Sequence, residues 1–346
     1  MKKRALCLLT ALVFLLSACA SAHEEETEVV SEPKGMVYYT FFDTVTYVYS
    51  YANDSAERFE SLSADCAHIL KEYHQLFDIY HEYEGINNLC TLNLNAGKEP
   101  VEVDERLFEF LVRAKELYYE TNGEMNVMMG SVLSLWHDAR EDGSYIPTDE
   151  QLQDAAEHTG IELLILEGNT AYISDEKASI DVGAFAKGYA TQKAAEYLRQ
   201  EDANGYVLNV GGNICIVGTR PDGTGWKTAI KDPADPNGNY CATVMISDTS
   251  CVTSGVYERY FTVDGVKYHH IIDKDTLYPS QHFASVTVIC PDSGTADALS
   301  TALFCMDENE GRELAQKMDA QVLWVYPNGT MSTTSQLGEI IEENKS

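Results

Sequence analysis

Apolar and polar residues follow each other along this chain in patterns that predict separate blocks of helix and strand. Between residues 56 and 80, apolar side chains recur every three or four positions, which is typical of one amphipathic helix. Residues 36–51 alternate and are rich in β-branched and aromatic side chains, which predicts a single strand. Loops are expected around residues 87–93 and 123–136. Further helices are predicted at residues 104–121, 151–159, 294–306 and 308–318, and another follows the glycine turn after Asp181 and ends near Arg199.

The stretch between residues 205 and 289 is different, because short β-branched runs there are separated by turn residues. This pattern predicts a series of strands, and a short strand-like piece is also expected at residues 178–180. A strand is predicted again near the end, at residues 322–326. Strands and helices in such unequal blocks favour an α+β fold over a regular alternation of strand and helix.

The first 35 residues indicate export and attachment to a membrane. Three basic residues precede an apolar run of fourteen residues, which is too short to span a bilayer. The run ends at Leu16-Ser-Ala-Cys19, a lipobox-like sequence. We therefore expect residues 1–18 to be a signal peptide, Cys19 to be the lipidated N-terminus, residues 19–35 to be an acidic tether, and residues 36–346 to be the folded domain. A plain secretory signal, cleaved at a nearby small residue, is the alternative.

The net charge is the most informative feature of the composition. The chain has 24 Lys and Arg against 55 Asp and Glu, a formal net charge of −31. A protein this acidic is repelled by nucleic acid, so nucleic-acid binding is excluded as a function. The nine cysteines include Cys7 and Cys19 near the N-terminus, and the other seven show no zinc-ligand spacing. We expect Cys215, Cys251 and Cys290, which lie in apolar strand-like runs, to be core residues.

Two segments carry candidate chemistry. Asp181 precedes a glycine turn that leads into a helix, whose N-terminus would favour phosphate. Asp297 and Thr301 lie four residues apart and would share one face of a later helix. Carboxylate and hydroxyl oxygens suit Mg²⁺ rather than zinc. Each segment also fits an ordinary Asx-turn or helix cap, but together they indicate a magnesium–phosphate site.

Both segments belong to a set of seven motifs whose order and spacing resemble the ApbE-type flavin transferases, also called FAD:protein FMN transferases. The resemblance covers residues 38–337. The motifs are Phe42-Asp-Thr-Val, Gly123-Glu-Met-Asn-Val-Met-Met-Gly, Asp181-Val-Gly-Ala-Phe-Ala-Lys-Gly, Asn209-Val-Gly-Gly-Asn, Thr253-Ser-Gly-Val-Tyr-Glu-Arg-Tyr-Phe, His270-Ile-Ile-Asp and Thr295-Ala-Asp-Ala-Leu-Ser-Thr.

The resemblance implies one compact domain with mixed or antiparallel sheets, flanking helices and an active site in a central cleft. It implies Mg²⁺ as cofactor and FAD as substrate, with transfer of FMN onto a Thr or Ser of another protein and release of AMP. The implied acceptor carries a motif of the Asp-x-x-Ser/Thr-Gly-Ala-Thr type, and we expect it to be a membrane redox subunit. The enzyme would act at the extracytoplasmic face of the cell membrane, anchored at Cys19.

The same resemblance implies roles for individual residues. The metal ligands would be the carboxylate of Asp297, the hydroxyl of Thr301 and the backbone carbonyl of Ala184. Contacts to the flavin and adenosine would come from Phe42, Tyr80, Glu124, Met125, Asn126, Asp181, Lys187, His270 and Ser300. The chain departs from many relatives at Phe42-Asp43 and at Asn126, and from some at Lys187 and Ser300.

A general base should accept the proton of the attacking hydroxyl. His270 is the first candidate, with Asp273 to orient it if the chain turns between them, and Asp181 or Asp297 is the alternative. Two other functions remain open. One is an Mg²⁺-dependent FAD pyrophosphatase, in which water replaces the acceptor. The other is a lipid-anchored flavin-binding protein without catalysis. Release of AMP from FAD would separate the binder from an enzyme.

Overall fold

The computed structural model describes residues 33–235 and 238–343. The signal peptide, Cys19 and the tether up to residue 32 lie outside the described residues. The helices are α1 (Ala56–Phe77), α2 (Leu89–Leu94), α3 (Glu105–Glu120), α4 (Gly130–Asp142), α5 (Asp149–Ala156), α6 (Ala186–Gln200), α7 (Ser293–Cys305), α8 (Glu308–Lys317) and α9 (Ser335–Ile340). The strands are β1 (Lys34–Phe41), β2 (Thr44–Ser50), β3 (Val101–Glu102), β4 (Leu164–Glu167), β5 (Thr170–Ile173), β6 (Tyr206–Val210), β7 (Asn213–Val217), β8 (Trp226–Lys231), β9 (Tyr240–Ile246), β10 (Ser250–Gly255), β11 (Tyr260–Val263), β12 (Val266–His269), β13 (Ser285–Cys290), β14 (Gln321–Val325), β15 (Met331–Thr333) and β16 (Ile341–Glu343).

An eight-stranded sheet in the order β1-β2-β6-β7-β10-β13-β14-β15 forms the centre of the fold. Its neighbouring strands pair antiparallel. Three smaller sheets accompany it in the described part of the chain, in the orders β16-β9-β8, β3-β5-β4 and β11-β12. Strand-rich and helix-rich blocks thus form separate layers, which confirms the predicted α+β class.

The two faces of the large sheet bury different partners because side chains alternate along each strand. In β10, Cys251 packs with Ile230 and Val244 under the β16-β9-β8 sheet. Its neighbour Val252 points the other way and packs with Leu299 and other residues of α7. Ser254 continues the face of Val252, so its hydroxyl is directed at α7 rather than at the small sheet.

Helices α6 and α7 lie side by side against this sheet, and their close approach depends on a glycine. Helix α7 is buried almost all round, which is typical of a central helix. A Cβ atom on Gly188 of α6 would collide with the Ser293 carbonyl oxygen and with the Cβ of Asp297 in α7. Only glycine therefore lets the α6 backbone reach the carboxylate of Asp297.

Several sequence predictions were wrong in detail. The predicted strand 36–51 is the hairpin β1–β2, because Phe42 and Asp43 both have φ of 52° and turn the chain. The loop expected at 87–93 contains α2, which begins with a capping box between Asn88 and Thr91. The loop expected at 123–136 contains most of the first turns of α4. Residues 178–180 are not a strand; the side chain of Asn93 pairs with both the N–H and the carbonyl of Ile180.

The long helix at 56–80 ends three residues early at Phe77, and the other predicted helices agree with α3 and α5–α8 to within a few residues. Elements β15, α9 and β16 near the C-terminus were not predicted.

Within residues 33–235 and 238–343, no helix combines the length and the apolar character that crossing a bilayer requires.

Candidate active site

The carboxylate of Asp297 is the most buried charged group of the candidate site. Asp292 caps α7 by accepting the N–H of Thr295 at 2.6 Å, which fixes where the helix begins. Asp297, 3% exposed, lies in its second turn. Its Oδ2 accepts the N–H of Gly188 at 2.8 Å and lies 3.7 Å from the Nζ of Lys187. Burial raises the pKa of Asp297, while Lys187 and the Gly188 N–H oppose that rise.

A cluster of hydroxyl groups lies beside Asp297. The Oγ of Ser254 in β10 is 2.7 Å from the Oγ of Ser300 and 3.4 Å from the Oγ1 of Thr301. Ser300 donates to the carbonyl oxygen of Asp297 at 2.8 Å and is fully buried. Thr301 is half-buried. The predicted ligands Asp297 and Thr301 therefore lie on one helix face. Ser254 lies beside them and was not among the predicted site residues.

Asp181 and Ala184 lie on the turn that precedes α6. The Oδ1 of Asp181 accepts the N–H of Gly183 at 2.9 Å, which makes this an Asx-turn. The N–H of Asp181 donates to the carbonyl of Val127 at 2.9 Å, which ties the turn to the segment before α4. Ala184 is half-buried, and Lys187 Nζ lies 3.4 Å from the carbonyl oxygen of Gly183. Lys187 thus joins this turn to Asp297.

Tyr80, His137 and Asp181 form a polar chain. The hydroxyl of Tyr80 lies 3.2 Å from His137 Nδ1, and His137 Nε2 lies 3.9 Å from the Oδ2 of Asp181. Burial lowers the pKa of His137, Asp181 opposes that shift, and the charges of Arg140 and Arg259 add to it. Tyr80 is 61% exposed, so its ring is available for stacking. His137 and Arg140 lie in none of the seven motifs, so they were not predicted as site residues.

His270 directly follows β12 and is a neutral imidazole at neutral pH. Its Nδ1 lies 3.2 Å from the carbonyl oxygen of Arg259. A carbonyl only accepts, so Nδ1 carries the proton and Nε2 keeps its lone pair. Burial and the charge of Arg259 lower the pKa of His270 to about 3. The free lone pair on Nε2 can accept a proton, but the low pKa makes His270 a weak base until its surroundings raise that pKa.

The expected pairing of His270 with Asp273 is not what orients the imidazole. The Oδ1 of Asp273 accepts the N–H groups of Asp275 and Thr276 at 2.9 and 2.8 Å, so it stabilises its own turn. The carbonyl of Arg259, the residue directly before β11, holds His270 instead. Sequence reasoning could not find this contact because a backbone oxygen leaves no residue-type signal.

His137 and His270 meet at one small cavity. This cavity is also lined by Arg140, Phe261 and Tyr268. Trp136 fixes one wall, since its Nε1 donates to the carbonyl of Leu277 at 2.9 Å and its ring stacks on Tyr268. A hydrophobic cluster beneath α4 thereby positions both histidines.

Three other predicted contact residues have structural partners. Glu124 pairs with Lys274 at 3.2 Å, and burial raises its pKa. Met125 is 2% exposed. Asn126 accepts the N–H of Met128 and donates to the carbonyl of Thr159, both at 2.9 Å. The polar groups of Asn126 are therefore engaged in holding the segment that leads into α4.

Phe42 lies at the hairpin turn, on the side of α1. Its N–H donates to His74 Nδ1 at 3.3 Å, and its ring meets His74 edge-on with the centroids 5.5 Å apart. The ring is half-buried. Nearby Asp43 acts electrostatically on Tyr80, so the turn and Tyr80 border the same region.

The oxygen atoms around Asp297 fit a hard cation. In the described residues, no group of three or more His, Cys, Asp and Glu side chains could hold a metal ion. A metal at Asp297 would therefore need hydroxyl and carbonyl oxygens, such as those of Thr301 and Ala184, together with water or phosphate. That donor set is the one Mg²⁺ accepts. The buried side chain of Asn213 lies beside the carboxylate of Asp297 and also opposes the rise in its pKa.

Comparison with known proteins identifies the family. The ApbE family model matches residues 42–324. The FAD:protein FMN transferase of Haemophilus influenzae is 30% identical over 348 residues, covering 97% of this chain and 96% of its own. That of Vibrio cholerae is 32% identical over 270 residues, covering 77% and 79%.

Solved structures give the same result. The crystal structure of the ApbE protein from Thermotoga maritima has a TM-score of 0.80 and 26% identity, covering 91% of this chain and 100% of its own. The flavin transferase ApbE from Vibrio cholerae has a TM-score of 0.76 and 27% identity, covering 89% and 99%. The fold and the site thus define a flavin-transferase-like α+β protein. The chain belongs to the ApbE family, which confirms the resemblance.

Proposed function

We propose that this protein is an FAD:protein FMN transferase, which moves the FMN half of FAD onto a Thr or Ser hydroxyl of another protein and releases AMP. A relative that covers 97% of this chain carries this name. The observation that carries the proposal is the position of Lys187. Its Nζ lies 3.7 Å from the Oδ2 of Asp297 and 3.4 Å from the carbonyl oxygen of Gly183, on the turn that also carries Asp181. The Oδ2 of Asp181 lies 3.9 Å from Nε2 of His137, and His137 lines one cavity together with His270. A cation-binding carboxylate and a proton acceptor therefore border one site.

The reaction is a phosphoryl transfer. The acceptor oxygen forms a bond to the phosphorus of the FMN half, and the bond from that phosphorus to the oxygen of AMP breaks. The proton of the acceptor hydroxyl goes to His270 Nε2, and AMP leaves with the bridging oxygen. The phosphates of FAD would oppose the charge of Arg259 and raise the pKa of His270 towards neutrality, which makes it a more effective base.

Asp297, Thr301 and the Ala184 carbonyl would hold Mg²⁺, which would neutralise charge on the pyrophosphate. The other groups position the substrate. Lys187, Arg140 and Arg259 place positive charge around the site, which an overall acidic protein needs in order to bind a dinucleotide anion. Tyr80, with Phe42 near it, offers a ring for the flavin or adenine.

Release of AMP tests this function. With FAD and Mg²⁺ alone AMP should form slowly, because a site that excludes water favours a docked hydroxyl over hydrolysis. An acceptor domain with the Asp-x-x-Ser/Thr-Gly-Ala-Thr-type motif should accelerate release, and its Thr→Ala variant should not. Rapid AMP formation without acceptor would instead indicate a pyrophosphatase. No AMP under any condition would indicate a flavin-binding protein.

The location of the enzyme is a separate part of the proposal. The sequence up to residue 35 supports export, lipidation at Cys19 and an acidic tether, which would place the domain at the extracytoplasmic face of the membrane. A membrane redox subunit is the acceptor that fits this location. Cys19→Ala should release the protein into the soluble fraction or block processing of the signal. Unchanged size and membrane retention would contradict lipidation.

A further inference from the structure

The ammonium group of Lys187 lies where a hard cation would have its ligands. Its Nζ is 3.7 Å from the Oδ2 of Asp297 and 3.4 Å from the carbonyl oxygen of Gly183. One oxygen is a carboxylate and the other a backbone carbonyl next to Ala184. Those are the two kinds of ligand that the site would offer to Mg²⁺.

Such a cation stabilises the charged form of Asp297. A carboxylate that is 3% exposed is costly to bury in charged form unless a charge partner compensates it. The N–H of Gly188 donates one hydrogen bond to this carboxylate at 2.8 Å. In the described part of the chain, the ion pair recorded for Asp297 is the one with Lys187.

Lys187 is able to move away. Its side chain is 24% exposed, so the ammonium can reach water by rotating its flexible stem. Both contacts of its Nζ are longer than an optimal hydrogen bond of about 2.9 Å. The arrangement therefore neutralises Asp297 without holding the ammonium in a tight, directional pair.

We propose that Lys187 and the divalent cation occupy Asp297 in turn. Without metal, the ammonium neutralises the buried carboxylate. Entry of Mg²⁺ displaces the ammonium, which then lies beside the site with its charge available to a substrate phosphate. This exchange rests on the metal site of the proposed function, and it makes Lys187 a positioning residue that sets metal affinity.

The test is metal binding without flavin or acceptor. Mg²⁺ is titrated into wild type, Lys187→Met and Lys193→Met by calorimetry. Lys193 is the control because it lies on α6, 29% exposed, and its Nζ pairs with Glu196 at 3.2 Å instead of Asp297. Lys187→Met should bind Mg²⁺ more tightly by about tenfold, since no ammonium competes. Lys193→Met should bind as wild type does. Unchanged or weaker binding by Lys187→Met would overturn the proposal.

Thermal unfolding gives a second readout. In EDTA, Lys187→Met should melt below wild type because Asp297 has lost its cation, and saturating Mg²⁺ should close this gap. Lys187→Arg keeps the charge and should restore the wild-type melting temperature in EDTA. If the melting temperature of Lys187→Met lay below that of wild type by the same amount with and without Mg²⁺, Lys187 would have only a structural role.

Wild-type protein provides a measurement that no folding defect can affect. In ¹³C-dimethyl-lysine spectra, Mg²⁺ should move the Lys187 signal, assigned with Lys187→Arg, and leave that of Lys193 in place. A stationary Lys187 signal at saturating metal would contradict exchange. If Lys187 and Mg²⁺ exchange at Asp297 but no AMP is released, the proposed function is rejected and the exchange is not. The two claims can therefore be tested separately.

Discussion

The backbone N–H of Gly188 donates to the Oδ2 of Asp297 at 2.8 Å across the contact between α6 and α7. This bond joins two segments that lie 109 residues apart in the chain. It exists because residue 188 has no side chain to separate the helices. The position of the buried carboxylate therefore depends on a glycine that would itself touch no ligand.

Gly188→Ala should destabilise the fold by about 1–3 kcal/mol, because the added methyl group overpacks the helix contact. Urea unfolding of the two proteins measures this change. Gly311→Ala is the control, since it is also helical and its Cβ would meet the end of the Leu303 side chain at 3.3 Å. If Gly188→Ala left the free energy of unfolding unchanged, the two helices would be able to separate without loss of stability.

His270→Gln should lower the transfer rate by about 10²–10⁴-fold, the usual contribution of a general base. Steady-state kinetics at saturating FAD and acceptor measure this loss. FAD affinity should change much less, since Gln keeps the size and polarity of the side chain. An unchanged rate would assign the proton to another group, such as Asp181.

The same substitution should change how stability depends on pH. The folded pKa of His270, about 3, lies below its ordinary value of 6.5, so the unfolded chain binds a proton first. Stability contributed by this group is therefore present above pH 6.5 and is lost as the pH falls towards 3. Urea unfolding between pH 7 and pH 4 should give a shallower dependence for His270→Gln than for wild type. Identical pH profiles would contradict the burial of a neutral imidazole.

Tyr80→Ala should weaken FAD binding by roughly tenfold if its exposed ring stacks on the ligand, a contact of about 0.5–1.5 kcal/mol beyond area burial. Tyr80→Phe keeps the ring and loses only the bond to His137, so it should bind nearly as wild type does. Tyr119→Ala is the matched control, because Tyr119 is 63% exposed on α3. Flavin fluorescence titration measures all three. Equal binding by Tyr80→Ala and wild type would remove Tyr80 from the site.

Asp297→Ala should abolish Mg²⁺-dependent release of AMP and leave weakened FAD binding. Thr301→Val keeps the volume and loses the hydroxyl, so it should reduce activity less, and added Mg²⁺ should restore part of it. Rates across a magnesium titration distinguish the two variants. Wild-type activity of Asp297→Ala at limiting Mg²⁺ would rule out this metal site.

The sequence predicted those parts of the site that depend on short spacings. Asp297 and Thr301 were placed on one helix face because residues four positions apart in a helix lie on the same side of it. The pairing of Lys187 with Asp297 could not be predicted, since it depends on how α6 packs on α7. His137 was missed because the sequence predicted a loop over residues 123–136, where α4 in fact begins at Gly130. The hairpin turn was missed because Phe42 and Asp43 adopt positive φ without the usual Gly or Asn signal.

Intact-mass measurement of an acceptor domain tests the central claim most directly. After incubation with the protein, FAD and Mg²⁺, then denaturation, the acceptor should gain the mass of one FMN less one water at its motif Thr or Ser. Asp297→Ala protein should give no labelling, and neither should the Thr→Ala acceptor. Unmodified acceptor in a reaction that nevertheless consumes FAD and yields AMP and free FMN would contradict the transferase.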